Sequence, residues 1–186
     1  YALQRSLVGS EMCIRDSYMR QSDIRLALEA ALCWLGIFGI QVSRHPQDAE
    51  CDEAWQQFCN RVGDAPQNPF ARLSLMENAE TEAVMNLLYS ASIFASFTCP
   101  RLHFLLLCRM MHLTLDRGIT GASTTAMAWF GVLIGHRYAE YRLGFEYGTL
   151  ARALVNRHGY DAFEAKTLLP LDQLSVWTQP LSFTIE

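Results

Sequence analysis

Residues 100–118, PRLHFLLLCRMMHLTLDRG, decide the fold. Two apolar stripes run through them at helical spacing, Phe104, Cys108, Met111 and Leu115 on one and Leu102, Leu106, Met110 and Leu113 on the other. Only Arg109, His112 and Asp116 form a narrow polar strip, so a helix over 100–117 has to be covered from more than one side. Pro100 stands in its first turn, where the missing N–H costs nothing, and Gly118 supplies the stop. A helix this apolar needs neighbours of the same kind.

The flanking sequence provides them. Upstream, Val84, Leu87, Leu88, Ala91, Phe94 and Ala95 line one face of a helix over 80–97. Downstream, helices are expected over 122–136 and 139–158, the second with Leu143, Tyr147, Leu150 and Leu154 on its inner stripe and Gly159 at its end. A further helix over 161–177 has an expected fault at Pro170. Nearer the start, Ser22 is placed to cap a helix over 23–39 carrying Leu28, Leu32 and Leu35. His45-Pro46 breaks the chain, and 48–62 follows as an amphipathic helix with Trp55, Phe58 and Val62 on one face. Residues 63–69 read as the clearest loop, and Thr178-Gln179-Pro180 as a turn into another helix. No stretch alternates with period two, so the fold class is all-α. Short connections predict antiparallel helical hairpins.

Ile134-Gly135-His136-Arg137-Tyr138 matches the L-G-x-x-Y core of a tetratricopeptide repeat, with Ile for Leu. In that reading Gly135 lets the second helix approach and Tyr138 packs across the hairpin. Gly131 stands where the repeat has Trp, and Tyr147 where it has a small residue. The spacing between equivalent helices, about 38 residues, exceeds the repeat's 34. The expected architecture is therefore a tetratricopeptide-like α-solenoid fragment over 18–186, truncated at both ends. Lacking its hairpin partner, the helix over 161–177 should leave Phe163, Leu168, Leu171, Leu174 and Trp177 partly exposed.

Composition narrows the function classes. The chain is 51% hydrophobic and 18% charged, richer in apolar residues than an average domain, and its net charge of −4 gives no electrostatic reason to expect nucleic acid, which wants a basic face. Lys166 is its single lysine. Ala165 and Tyr160 occupy the positions where a phosphate-binding P-loop ending at that lysine needs glycines, so no nucleotide cradle is expected. Kinase chemistry with paired lysine contacts and Schiff-base catalysis are disfavoured on the same ground. The six cysteines (Cys13, Cys33, Cys51, Cys59, Cys99 and Cys108) show no C-x-x-C pair. They read as free, mostly buried thiols of a reducing, cytoplasmic compartment. The longest apolar run, 24–42, holds Arg25 and Glu29 and reads as a buried helix rather than a membrane span.

Candidate sites are few. Cys99 with His103, and Cys108 with His112, stand at helical i,i+4 spacing, as zinc ligands do, but no third or fourth ligand accompanies them, so core and rim roles are expected. No G-x-S-x-G, H-E-x-x-H or paired acidic motif is present. The expectation is thus no catalytic residue, no cofactor, no metal, and an interaction surface the sequence does not locate. Met110-Met111 reads as gap-filling core, with a patch that adapts to partners as the alternative. Trp129, Phe130, Tyr138, Tyr141, Phe145 and Tyr147 read as core and groove lining, with a ligand-recognising surface as the alternative.

Residues 7–16, LVGSEMCIRD, are the translation of a common transposase-type library adapter in one frame, CTC GTG GGC TCG GAG ATG TGT ATA AGA GAC. The remaining AG of that adapter permits Ser17. Residues 1–17 are accordingly expected to be non-native, with 1–6 of unassigned origin and native sequence beginning near Tyr18.

Cys108 to Gly118 resembles a run, LRMVNLSLEHGNS, that recurs in very large bacterial signalling proteins. Ala126 to Tyr138, followed by Tyr141-Arg142-Leu143-Gly144-Phe145-Glu146-Tyr147-Gly148, is similar to that family's YAxYGxxLxxxFxDYxxGYxFGxLA. Trp177-Thr178-Gln179-Pro180-Leu181 looks like its W-x-x-P-L turn. Those proteins join a serine/threonine-kinase-like domain, an AAA-type ATPase of the signal-transduction class, a long helical-repeat region, a GAF sensor and often a histidine kinase. The resemblance covers about residues 20–186 and lies wholly within the repeat region. It implies a non-catalytic scaffold whose partners are neighbouring domains of the same chain, or proteins and peptides, and it carries over no catalytic residue. Pro170 departs from the family's uninterrupted apolar helix. A second reading makes the module a peptide- or ligand-binding sensor. A third, a free-standing enzyme, is disfavoured by the scarcity of lysine and of paired ionisable residues.

Overall fold

The structure, a computed structural model, describes residues 23–63 and 68–179. The expectations for residues 1–17, for Ser22 and for the helix after Pro180 lie outside the described residues, as does most of the expected 63–69 loop. Eight helices are seen among the described residues: α1 (Ile24–Ile37), α2 (Asp48–Val62), α3 (Asn68–Ala71), α4 (Ala79–Thr98), α5 (Pro100–Arg117), α6 (Gly121–Tyr138), α7 (Tyr141–His158) and α8 (Asp161–Thr178). The fold is all-α.

Local chemistry sets the helix ends. Asp23 accepts a hydrogen bond from the Leu26 N–H (3.1 Å) and starts α1, and Asn78 does the same for Thr81 (2.9 Å) in α4. Thr120 and Ser123 cap α6 reciprocally: each backbone N–H donates to the other's hydroxyl, at 3.1 and 3.2 Å. Gly118, with φ +102°, ends α5 and brings its backbone against the Ser74 carbonyl, where a Cβ would stand 2.6 Å from that oxygen. The close approach lets the 72–78 segment pair with the α5–α6 turn. The Ile119 N–H donates to Ser74 O (2.9 Å), and the Met76 N–H donates to Ile119 O (3.0 Å).

From α4 onward each helix packs on its successor through a short connection, as hairpins require. In addition, α6 packs on both α4 and α8. The first two long helices behave differently: α1 lies on α4 and α2 lies on α5, so the hairpin expected of them is not the dominant contact. The reason is which faces answer each other. Leu28, Leu32 and Leu35 of α1 are buried with the Val84–Ala95 stripe of α4. The rings of α2 instead enter an aromatic core, with Phe58 4.8 Å from Phe130 of α6 and edge-on to Tyr147 of α7 at 6.3 Å. Phe70, delivered by α3 just after the expected loop, is fully buried and meets Phe58 at 6.3 Å and Tyr147 at 5.8 Å.

The two-striped helix is covered as its sequence demands, with Met110 and Met111 fully buried and Arg109 and Asp116 exposed. Helix α8 runs through Pro170 without interruption. Of the residues expected to be partly exposed on it, Phe163 and Leu168 are half-buried and Trp177 is exposed, but Leu171 and Leu174 are buried. Both of those leucines fill the space left by glycines: Gly148 meets Leu171, and Gly144 meets Leu174. The outward residues are Leu169, Val176 and Trp177.

Candidate functional site

Helix α2 presents three faces, and two of them are polar. Its inner face, Cys51, Trp55 and Phe58, faces the core. One edge carries Asp48 and Asp52, which meet Arg101 at the start of α5 and Arg137 and Tyr138 at the end of α6. The Arg101 Nε and Nη2 donate to the two Asp48 oxygens at 3.0 and 2.8 Å, a forked pairing. Arg137 Nη2 donates to the Asp48 carbonyl (3.1 Å) and to Asp52 Oδ1 (3.1 Å), and the Tyr138 hydroxyl donates to Asp52 Oδ1 at 2.9 Å. Hydrogen bonds from Arg101 and then Arg137 hold the Asp48 carboxyl at about 2, well below its ordinary value. Burial, followed by the bond to Asp52, pushes the Tyr138 phenol up. Tyr138 therefore packs on α2, stacked on Trp55 at 5.1 Å, rather than across its own hairpin. This edge is an ionic seam.

The opposite edge of α2 borders a cleft of about 320 Å³. Glu50, Glu53, Ala54 and Gln57 form its α2 wall, and Leu105, Cys108, Arg109 and His112 its α5 wall. The α1–α2 connection closes one side with Gln41, Val42 and Ser43. The Glu50 Oε1 accepts from the Gln47 N–H (2.8 Å), and the Glu53 Oε1 accepts from the Gln57 amide (3.1 Å). Arg61 forms an ion pair with Asp116 and sets a second guanidinium nitrogen 3.2 Å from His112 Nδ1. Burial and the Arg61 and Arg109 charges hold the His112 imidazole below its ordinary value, which favours its neutral form. Arg109 has no ion-pair partner among the described residues.

The other sequence candidates resolve into packing. His103 is buried beside Trp129 (6.2 Å), and burial lowers its imidazole to about 4. Cys108 is buried and its thiol is pushed well up, while Cys99 is half-buried at the α5 cap. Among the described residues five cysteines are free thiols: Cys51 and Cys108 buried, Cys59 and Cys99 intermediate, Cys33 exposed. Among the described residues no group of three or more His, Cys, Asp or Glu is placed to hold a metal. Lys166 lies over aromatic faces, with Nζ 4.8 Å from the Phe163 ring centre and 5.6 Å from that of Tyr89. Phe130 and Tyr147 are fully buried, and Tyr141 stacks on Trp177 at 5.5 Å. Among the described residues no helix is long and apolar enough to cross a membrane.

Sequence reasoning did not locate the cleft. Its signal lay in Arg109 and His112, the polar strip on an otherwise apolar helix, but the facing carboxylates come from a helix some 50 residues earlier whose docking partner periodicity does not specify. Comparison with protein families, with curated proteins and with solved structures finds no match.

Proposed function

We propose that this chain is a non-catalytic helical-repeat module of a multidomain signal-transduction protein, coupling an ATPase to sensor and kinase modules. The single observation carrying the reading is the α6–α7 hairpin. The stretch that resembles the repeat regions of such proteins supplies the packing contacts that close it: Gly131 against Gly144, Gly135 against Tyr141, and Phe130 against Tyr147. The packing of α6 on both α4 and α8 supports a tetratricopeptide-like stack, because in such stacks alternate helices touch. A reducing, cytoplasmic setting fits the free thiols. The test is the native locus. Long-read sequencing through this frame should reveal an ATPase upstream and a GAF sensor downstream, joined in one open frame. An independent short gene bounded by its own start and stop codons would end the scaffold reading.

A second reading, a ligand-binding module, is favoured by the cleft between α2 and α5.

A further inference from the structure

The α2–α5 cleft holds charges of both signs on facing walls. Glu50 and Glu53 stand on α2 and Arg109 on α5, yet Arg109 pairs with neither carboxylate. Elsewhere along α2 the arginines do close onto their acids: Arg61 with Asp116, Arg101 with Asp48, and Arg137 with Asp48 and Asp52. The cleft therefore carries both signs of charge with no ion pair between Arg109 and either glutamate. Its volume, about 320 Å³, lies at the small end of ligand sites. Val42, Ala54 and Leu105 give it an apolar lining beside the charges.

We infer that this cleft binds a small zwitterion with an apolar side chain, a free α-amino acid or a dipeptide, with its ammonium toward Glu50 and Glu53 and its carboxylate toward Arg109. The inference rests on the ligand-binding reading of the module. Each carboxylate already has one oxygen engaged, Glu50 by the Gln47 N–H and Glu53 by the Gln57 amide, so both side chains are partly held before a ligand arrives. The planar guanidinium of Arg109 suits a carboxylate by forked pairing. The neutral form of His112 is favoured by burial and by the neighbouring Arg61 and Arg109 charges, which limits competing positive charge beside Arg109. Molecules that lack either end forgo one of the two charge pairs and should bind more weakly.

Calorimetry on the full chain with leucine, leucinamide, N-acetylleucine and leucyl-leucine tests this. Leucine or leucyl-leucine should bind about three- to fivefold more tightly than leucinamide or N-acetylleucine, the size expected for losing one solvent-exposed charge pair. Whichever of the two zwitterions binds more tightly identifies the source. Arg109→Gln should abolish the preference for leucine over leucinamide, and Glu53→Gln should reduce that over N-acetylleucine. Arg152→Gln, an exposed change on α7, should leave both intact. No binding of either zwitterion at millimolar concentration, or equal binding of all four compounds to the unsubstituted chain, overturns the inference. Binding that is unaffected by Arg109→Gln also overturns it, while leaving a ligand site elsewhere. A native locus encoding ATPase and GAF domains would stand through any of these failures, so the scaffold reading is tested separately.

Discussion

At Gly131 and Gly144, α6 and α7 touch backbone to backbone. A Cβ on Gly131 would stand 2.4 Å from the Gly144 carbonyl oxygen, and one on Gly144 would stand 2.3 Å from the Gly131 oxygen. Neither oxygen can rotate aside, so the helices would have to part. Gly131→Ala should therefore destabilise by roughly 1–3 kcal/mol, the usual cost of overpacking, despite the helix propensity of alanine. Gly36 is the control, an exposed position in the last turn of α1 where an added methyl would have nothing within 4 Å. Gly36→Ala should stabilise by about 0.5–1 kcal/mol by restricting the unfolded chain. Urea melts that moved both variants in the same direction would show the crossing is not tight. In the sequence Gly131 stands out only as a missing repeat tryptophan. Its meaning depends on Gly144, which becomes its neighbour only once the hairpin register is fixed. Tyr138 illustrates the same limit: its residue type announced packing, but its partners, Trp55 and Asp52, come from α2.

Helix α2 is held both by rings and by ions, and the magnitudes decide between them. Phe58 is fully buried and touches Phe70, Phe130 and Tyr147. Phe58→Ala should cost about 3–5 kcal/mol, as large-to-small changes in a packed aromatic core do. Asp52 meets Arg137 and Tyr138 but is exposed, and exposed ion pairs contribute at most about 1 kcal/mol and weaken with salt. Asp52→Asn should thus lower stability by less than about 1 kcal/mol, with the difference shrinking in 1 M NaCl. Chemical denaturation of both variants at low and high salt measures this. An Asp52→Asn loss equal to that of Phe58→Ala would mean that the seam, not the core, docks α2. The spans of α2 and α5 were legible to the residue, since caps and periodicity are local. The docking of α2 on α5 was not, because periodicity identifies an apolar face without naming its complement. Helix α3 escaped notice for a different reason: four residues are too few for a period to show.

Across the whole molecule, burial is concentrated on α6. It packs on α4, α5, α7 and α8, and its first turns are buried along their full circumference, Gly121 to Ala128. Small and hydroxyl side chains make that possible. Thr114, Thr120 and Ser123 share hydroxyl hydrogen bonds in the interior, and Thr167 of α8 lies 3.4 and 3.3 Å from the hydroxyls of Thr124 and Thr125. The sequence shows this stretch as a mild, weakly patterned helix, because residues buried on every side leave no amphipathic period to detect. By contrast, α1 and α8 each bury one face, and α8 keeps Leu169, Val176 and Trp177 outward. A molecule stabilised by neighbour contacts in this way should open from its less covered helices inward. Native-state hydrogen exchange should accordingly show the α5 and α6 amides exchanging only by global unfolding, with α1 and α8 opening at lower free energy. In mild denaturant the α1 and α8 amides should exchange first while those of α6 remain protected. Uniform protection across all of these helices would instead make the chain a single cooperative unit, and the stacked-hairpin description of its energetics would fail.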